Sequence, residues 1–217
     1  MARNNTTRLL GALALLALLV SVGFGVAEAA KAASLSDAQA SAVQQISTYF
    51  NKMKTMQGEF TQVGPKGHVS AGVFYISKPG RLRFEYAPPN PFLVVADGSW
   101  VTIKNNAKNT ADQYPLSATP LRLVLADRVD LLKEADVKSV EAADGLTRVT
   151  VEDKSKLVPG HLELVFDSQK DELQQWIIVD GQGRRTTISL MNIQADTKPD
   201  PKLFVVELPD REKRTSK

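Results

Sequence analysis

Cysteine does not occur in this sequence. Its absence removes disulfides, thiol nucleophiles and thiolate metal sites, so the fold has to rest on its own core. It also removes any lipid anchor attached through a cysteine. Histidine is scarce: His68 falls at a turn exit and His161 at a strand start, far apart and with neither a second histidine nor a carboxylate at ligand spacing. Strand-edge imidazoles fit that placement better than a metal site. There is no Gly-x-Ser-x-Gly elbow. Gly64-Pro65-Lys66-Gly67-His68 lacks the spacing and the Lys-Ser/Thr end of a phosphate cradle, and reads as a hairpin loop. Asp167-Ser168-Gln169-Lys170-Asp171 lacks the glycine and glutamate that a calcium loop requires further on. Paired acids such as Asp171-Glu172 sit on turns, where solvated charge is the default. These absences point to a protein that binds rather than an enzyme, and no cofactor is expected.

No sign of charge dominates either. Lys and Arg number 27 against 24 Asp and Glu, a net +3 spread along the chain, which argues against a nucleic-acid surface. Linkers, repeats and low-complexity blocks are missing, so residues 30–209 are read as one domain.

What is present begins with an export signal. Arg3 and Arg8 precede an apolar run from Leu9 to Val20, and Ala27-Glu28-Ala29 has the small-x-small pattern of a cleavage site. Residues 1–29 are thus read as a cleaved signal peptide. The run approaches the ~20 apolar residues that span a bilayer, so an uncleaved anchor is the alternative; the Ala-rich exit with Gly23 and Gly25 favours cleavage. The basic residues 210–217 are read as a disordered tail, either simply solvated or weakly drawn to anionic headgroups.

From Ser36 the pattern is helical. Ser36 and Gln39 stand at capping-box spacing, and Val43, Ile46, Phe50 and Met53 recur at offsets of three and four. After Met56 the period becomes two, and strands are predicted at 58–63, 69–77, 81–86, 92–96 and 100–105. The rhythm breaks at 119–133, where Pro120 opens a short apolar helix through Leu121, Val124 and Leu125, with a second helical piece at 130–134. Strands resume at 137–142, 146–152, 161–166, 173–179 and 186–195, followed by an apolar stretch at 203–208. About ten strands without a long helix between successive members imply an antiparallel sheet.

Strand parity then assigns faces. In 81–86, Leu82, Phe84 and Tyr86 share one side while Arg81, Arg83 and Glu85 take the other. Leu162, Leu164 and Phe166 group likewise, and Val149 and Val151 stand opposite charged and hydroxyl residues. One face is dry and one wet. A sheet this wide curls, and its dry side is either a filled core or an open concavity.

Phe60-Thr61-Gln62, the run from Lys78 to Tyr86, Val94-Val95-Ala96-Asp97-Gly98 and Pro115-Leu116 leading to Thr119-Pro120-Leu121 together resemble the periplasmic outer-membrane lipoprotein carrier (LolA) family over nearly the whole mature chain. The resemblance implies a mainly β (α+β) fold: a curved antiparallel sheet forming a half-open barrel, with an N-terminal amphipathic helix and a short helical lid. It implies a periplasmic monomer that shields lipoprotein acyl chains, taking them from an inner-membrane ABC transporter and giving them to an outer-membrane receptor lipoprotein or to the outer membrane itself. It carries over Phe60, Leu82, Phe84, Tyr86 and Val94 as the lipid-binding cavity and Leu121, Val124 and Leu125 as the lid. Where the family often has an arginine that latches the lid to backbone carbonyls, this chain has Lys78, which makes Lys78 the latch candidate. A periplasmic lipid-sensing regulator, or a carrier of another amphiphile, would use the same concavity. A carboxylate at Phe84 is expected to abolish lipid binding and to spare the fold, on the view that the face is open.

Overall fold

Ser36 does what its spacing promises. Its hydroxyl accepts from the Gln39 backbone N–H while the Gln39 side chain accepts from the Ser36 N–H, and the first helix, α1 (Asp37–Lys52), starts there. Its apolar stripe, Val43, Ile46, Tyr49 and Phe50, is buried. The computed structural model describes residues 34–155 and 159–208; the expected leader 1–29 and the tail 210–217 lie outside them.

After α1 the chain forms β1 (Thr55–Val63), β2 (Val69–Ser77), β3 (Arg81–Tyr86), β4 (Phe92–Asp97), β5 (Trp100–Asn105) and β6 (Thr110–Pro115), each hairpin-linked to the next. A 3-10 turn at Leu116–Ala118 leads to α2 (Leu121–Leu125) and α3 (Leu131–Glu134). Then come β7 (Ala135–Ala143), β8 (Leu146–Asp153), β9 (Gly160–Asp167), β10 (Glu172–Asp180) and β11 (Arg185–Ala195). All eleven strands make one sheet, in the order β6-β5-β4-β3-β2-β1-β11-β10-β9-β8-β7. Every neighbouring pair is antiparallel. Two meanders are therefore joined by the β1–β11 ladder, and the sheet is a curved, open one, the mainly β half-barrel with few helices that the residues and the resemblance imply.

The strand missing from the sequence reading is β6. Thr-Ala-Asp-Gln-Tyr-Pro carries no apolar alternation because an edge strand pairs on one side only and stays largely exposed. The apolar stretch at 203–208 is not a strand: Pro201–Phe204 is a 3-10 turn whose N-cap, Asp200, accepts from the Lys202 N–H. That turn lies on the outer side of β3, where Arg83 donates to the Leu203 carbonyl at 3.0 Å and the Arg81 guanidinium sits over the Phe204 ring.

The concave face carries one continuous core in which α1, α2 and α3 pack against the inward side chains of both meanders. The convex face is less uniformly wet than alternation implies. Val165, Ile177 and Val179 form a small buried apolar group there. Above it, the buried Glu163 accepts from Arg148 at 2.8 Å and from Arg185 at 2.6 Å, and the His161 imidazole lies 3.4 Å away. Long arginine stems roof an apolar patch while their heads stay hydrated, so parity alone cannot separate such a patch from a wet surface. Burial would raise the Glu163 carboxyl, but the hydrogen bonds from Arg185 and Arg148 outweigh it and hold the group below the usual carboxylate range.

Candidate functional site

The site is built around β3. Its alternation places Leu82, Phe84 and Tyr86 inward, fully buried at Leu82, 5 % exposed at Phe84 and half-buried at Tyr86. Phe84 stands in register with Phe74 on β2 and Val94 on β4. The Phe60 ring from β1 meets Phe84 edge-on at 4.6 Å between centroids and Tyr86 at 5.1 Å, and Trp176 from β10 approaches Phe84 at 5.8 Å. Edge-to-face contacts of this kind add to plain area burial. They depend on a missing side chain: a Cβ at Gly72, which pairs with both Phe60 and Tyr86, would stand 2.9 Å from the Phe60 ring and 2.0 Å from the Glu85 carbonyl oxygen.

Beside this aromatic wall lies a cavity of about 540 Å³, in the size range of small-ligand sites. Leu82, Phe84, Tyr86, Val94 and Leu121 line it. Phe60 does not; it supports the wall from behind, through its ring contacts. Val124 and Leu125 are buried in the core and do not line it either, so of the three lid residues only Leu121 reaches the space. The remaining lining comes largely from elements the sequence reading left without a role: Ile103 and Tyr114 on β5 and β6, and Trp176, Ile178 and Ile188 on β10 and β11. Parity along 173–179 and 186–195 would have marked the last three as inward, but nothing local brings that half of the chain against β3.

The lining is apolar with a few polar exceptions. The Tyr86 hydroxyl donates to the Gln62 side-chain oxygen at 2.7 Å, and burial pushes the phenol's pKa up, a rise that the bond to Gln62 partly offsets. Among the described residues no group of three or more His, Asp or Glu could hold a metal ion.

The helical cover is tied down at several points. The Gly80 N–H donates to the Leu125 carbonyl at 2.8 Å, in a turn where Gly80 has φ 72° and a Cβ would meet Gly98 at 2.8 Å. Arg122 forms a double hydrogen bond with the buried Asp153 at the end of β8. Asn51 at the end of α1 exchanges two hydrogen bonds with the Val129 backbone. Lys78 is 7 % exposed, and its Nζ donates at 2.9 Å to the carbonyl of Phe50 in the last turn of α1. The latch candidate thus holds α1, while α2 is held by the neighbouring backbone at Gly80.

Burial, with the nearby Lys54 charge added, lowers the Lys78 pKa to about 8. The unfolded chain then holds a proton between about pH 8 and pH 10.5 that the folded one does not, so this residue's contribution rises with pH across that window. The melting temperature of the parent relative to a Lys78→Met variant should accordingly increase between pH 7.5 and pH 9.5. A constant difference, read by thermal denaturation at both values, would show that the ammonium is not desolvated.

The sequence pattern of the family described as "Outer membrane lipoprotein carrier protein LolA" matches residues 51–207. An outer-membrane lipoprotein carrier protein of Xanthomonas campestris is 33 % identical over 169 residues, covering 71 % of this chain and 78 % of that one. Its counterpart in Pseudomonas aeruginosa is 27 % identical over 195 residues, covering 85 % and 92 %. Among solved structures, a LolA superfamily protein from Nitrosomonas europaea superposes with a TM-score of 0.43 at 11 % identity, covering 76 % of this chain and 97 % of that one.

Proposed function

This chain belongs to the LolA family of outer membrane lipoprotein carrier proteins, and from that premise we propose that it is a periplasmic carrier whose concave cavity shields lipoprotein acyl chains between the inner and the outer membrane. The observation that carries the reading is the apolar space of about 540 Å³ beside Leu82, Phe84 and Tyr86, walled by both meanders and touched by Leu121 of the helical cover. Residues 1–29 act as the export signal, 30–209 as the single carrier domain and 210–217 as a basic tail. No catalytic step is assigned: the chain binds and releases, as a monomer, receiving cargo from an inner-membrane ABC transporter and delivering it to an outer-membrane receptor lipoprotein or to the outer membrane itself.

The physical need is simple. Exposing an acyl chain of about fourteen methylenes to water costs about 11 kcal/mol at ~0.8 kcal/mol each, so unassisted crossing of an aqueous compartment is negligible. A cavity that receives the chain and closes again once emptied lowers that cost on entry and recovers part of the buried area on release. Phe60, Leu82, Phe84, Tyr86 and Val94 form or back the wall, Leu121, Val124 and Leu125 the cover, and Lys78 the tie between the β2–β3 turn and α1.

Depletion of the protein should trap outer-membrane lipoproteins at the inner membrane, and mass spectrometry of the protein purified from periplasm should find acylated lipoprotein bound to it. Correctly placed lipoproteins combined with altered envelope-stress signalling would instead favour a lipid sensor. Another amphiphile in the purified protein would identify a different cargo.

A further inference from the structure

The connection between the two ends of the sheet crosses its concave face. β6 and β7, the outermost strands, are joined by residues 116–134, which hold the 3-10 turn, α2 and α3. Within this connection α2 is fastened twice. The Leu125 carbonyl at its end accepts from the Gly80 N–H in the β2–β3 turn at 2.8 Å, and Arg122 near its start grips Asp153 at the end of β8 with two hydrogen bonds. Gly80 belongs to the first meander and Asp153 to the second, where it stands in register with Ala135, the first residue of β7. One short helix therefore ties one half of the shell to the other, and the width of the concavity depends on that tie.

The Arg122 side chain is 27 % exposed and that of Asp153 only 2 %. Asp153 also accepts from the Ser155 N–H at 2.7 Å, so the carboxylate end is anchored on its own strand and the guanidinium end is the one free to leave. Open space surrounds the helix. The acyl cavity reaches it at Leu121, while two other hollows, of about 470 and 390 Å³, reach it at Arg122 and Ala126. Leu123, Val124 and Leu125 are buried beneath it, and entering hydrocarbon can replace the contacts that they lose when the helix shifts. Nothing in an acyl chain replaces the ion pair, so its loss is a net cost of opening. Size decides when that cost falls due. The closed cavity of about 540 Å³ lies in the range that takes one small ligand. A single palmitoyl chain at interior packing density fills most of it, and two or three side by side exceed it.

We infer that Arg122 and Asp153 set the acyl-chain capacity of the carrier: with the pair closed the cavity admits one chain, and cargo with more chains binds only by opening it. This rests on the carrier reading and adds to it two residues that determine specificity by chain number. Affinity for multi-chain cargo is reduced by the fraction of protein that stands closed, and a change that removes the tie restores it, whereas cargo that fits the closed cavity is indifferent to the change.

The test uses three synthetic lipopeptides of one sequence, carrying one, two or three palmitoyl chains. Calorimetric titration of the full-length mature protein compares the parent with Asp153→Asn, whose amide oxygen still accepts the Ser155 N–H, and with the double variant Arg122→Gln/Asp153→Asn, which leaves no unpaired charge behind. In both, the affinity for the three-chain probe relative to the one-chain probe should rise about tenfold, with the two-chain probe between them. A tie that only stabilises the fold would give the opposite sign, weaker binding of every probe together with a lower melting temperature. An unchanged ratio in both variants, or a loss shared by all three probes, overturns the assignment. Failure of the parent to bind any of the three rejects the carrier reading itself, an outcome distinct from the other two.

Discussion

Val94→Trp should yield a protein that folds and no longer holds an acyl chain. Val94 lies on β4 between Phe84 and Ile103 in register, is only partly buried, and faces the cavity. An indole there extends into free space rather than into packed neighbours, so the overpacking cost that accompanies most enlargements of a core residue is largely avoided. If the indole displaces about four methylenes of cargo, binding weakens by ~3 kcal/mol, or about a hundredfold. Titration with a diacylated lipopeptide measures the loss, and thermal denaturation should place the variant within a few degrees of the parent. A folded variant with undiminished affinity would mean that the chain sits elsewhere.

Phe84→Glu should do the reverse of what the alternating pattern suggests and cost the fold before the ligand. The ring is 5 % exposed and touches Phe60, Phe74 and Trp176, so a carboxylate in its place is desolvated among aromatic edges with no cation in reach of the described contacts. A penalty of about 4 kcal/mol takes a large share of a typical domain's stability and lowers the melting temperature by about 10 °C or more. Desolvation raises the folded-state pKa of such a glutamate above its unfolded value, so the deficit should be smallest below about pH 4, where only the lost ring packing counts, and grow as the pH rises through the folded pKa. Melting curves of parent and variant at pH 4.5 and pH 8 check both parts; a variant as stable as the parent at pH 8 would show that the wall is open rather than packed.

Phe84 also shows where the sequence was legible and where it was not. Alternation in Arg-Leu-Arg-Phe-Glu-Tyr reveals side, and the inward set Leu82, Phe84 and Tyr86 is correct to the residue. It does not reveal depth. Whether an inward ring is exposed depends on Phe60, Phe74 and Trp176, which arrive from other strands, the last more than ninety residues away. Capping and apolar spacing placed α1 and the short helices well, because those signals are local. The edge strand β6 escaped because a ladder formed on one side leaves most of its side chains in solvent and asks little of their chemistry. The contribution of β10 and β11 to the cavity was hidden for a topological reason: β1 and β11 meet across the length of the chain, and only that ladder brings Ile178 and Ile188 opposite Leu82. Likeness to a family singles out Lys78, and its actual acceptor, the Phe50 carbonyl, is a matter of three-dimensional reach that no spacing encodes.

The order of the strands has a mechanical corollary. The outermost members, Thr110–Pro115 and Ala135–Ala143, each have a single ladder neighbour and are not zipped to one another. Spreading them apart to admit a bulkier passenger breaks no strand-to-strand ladder and loads instead the ties of the helical cover, the Gly80–Leu125 backbone bond on one meander and the Arg122–Asp153 pair on the other. A closed cylinder would have to unpick a whole seam for every change in girth, whereas this open shell has only those ties to loosen.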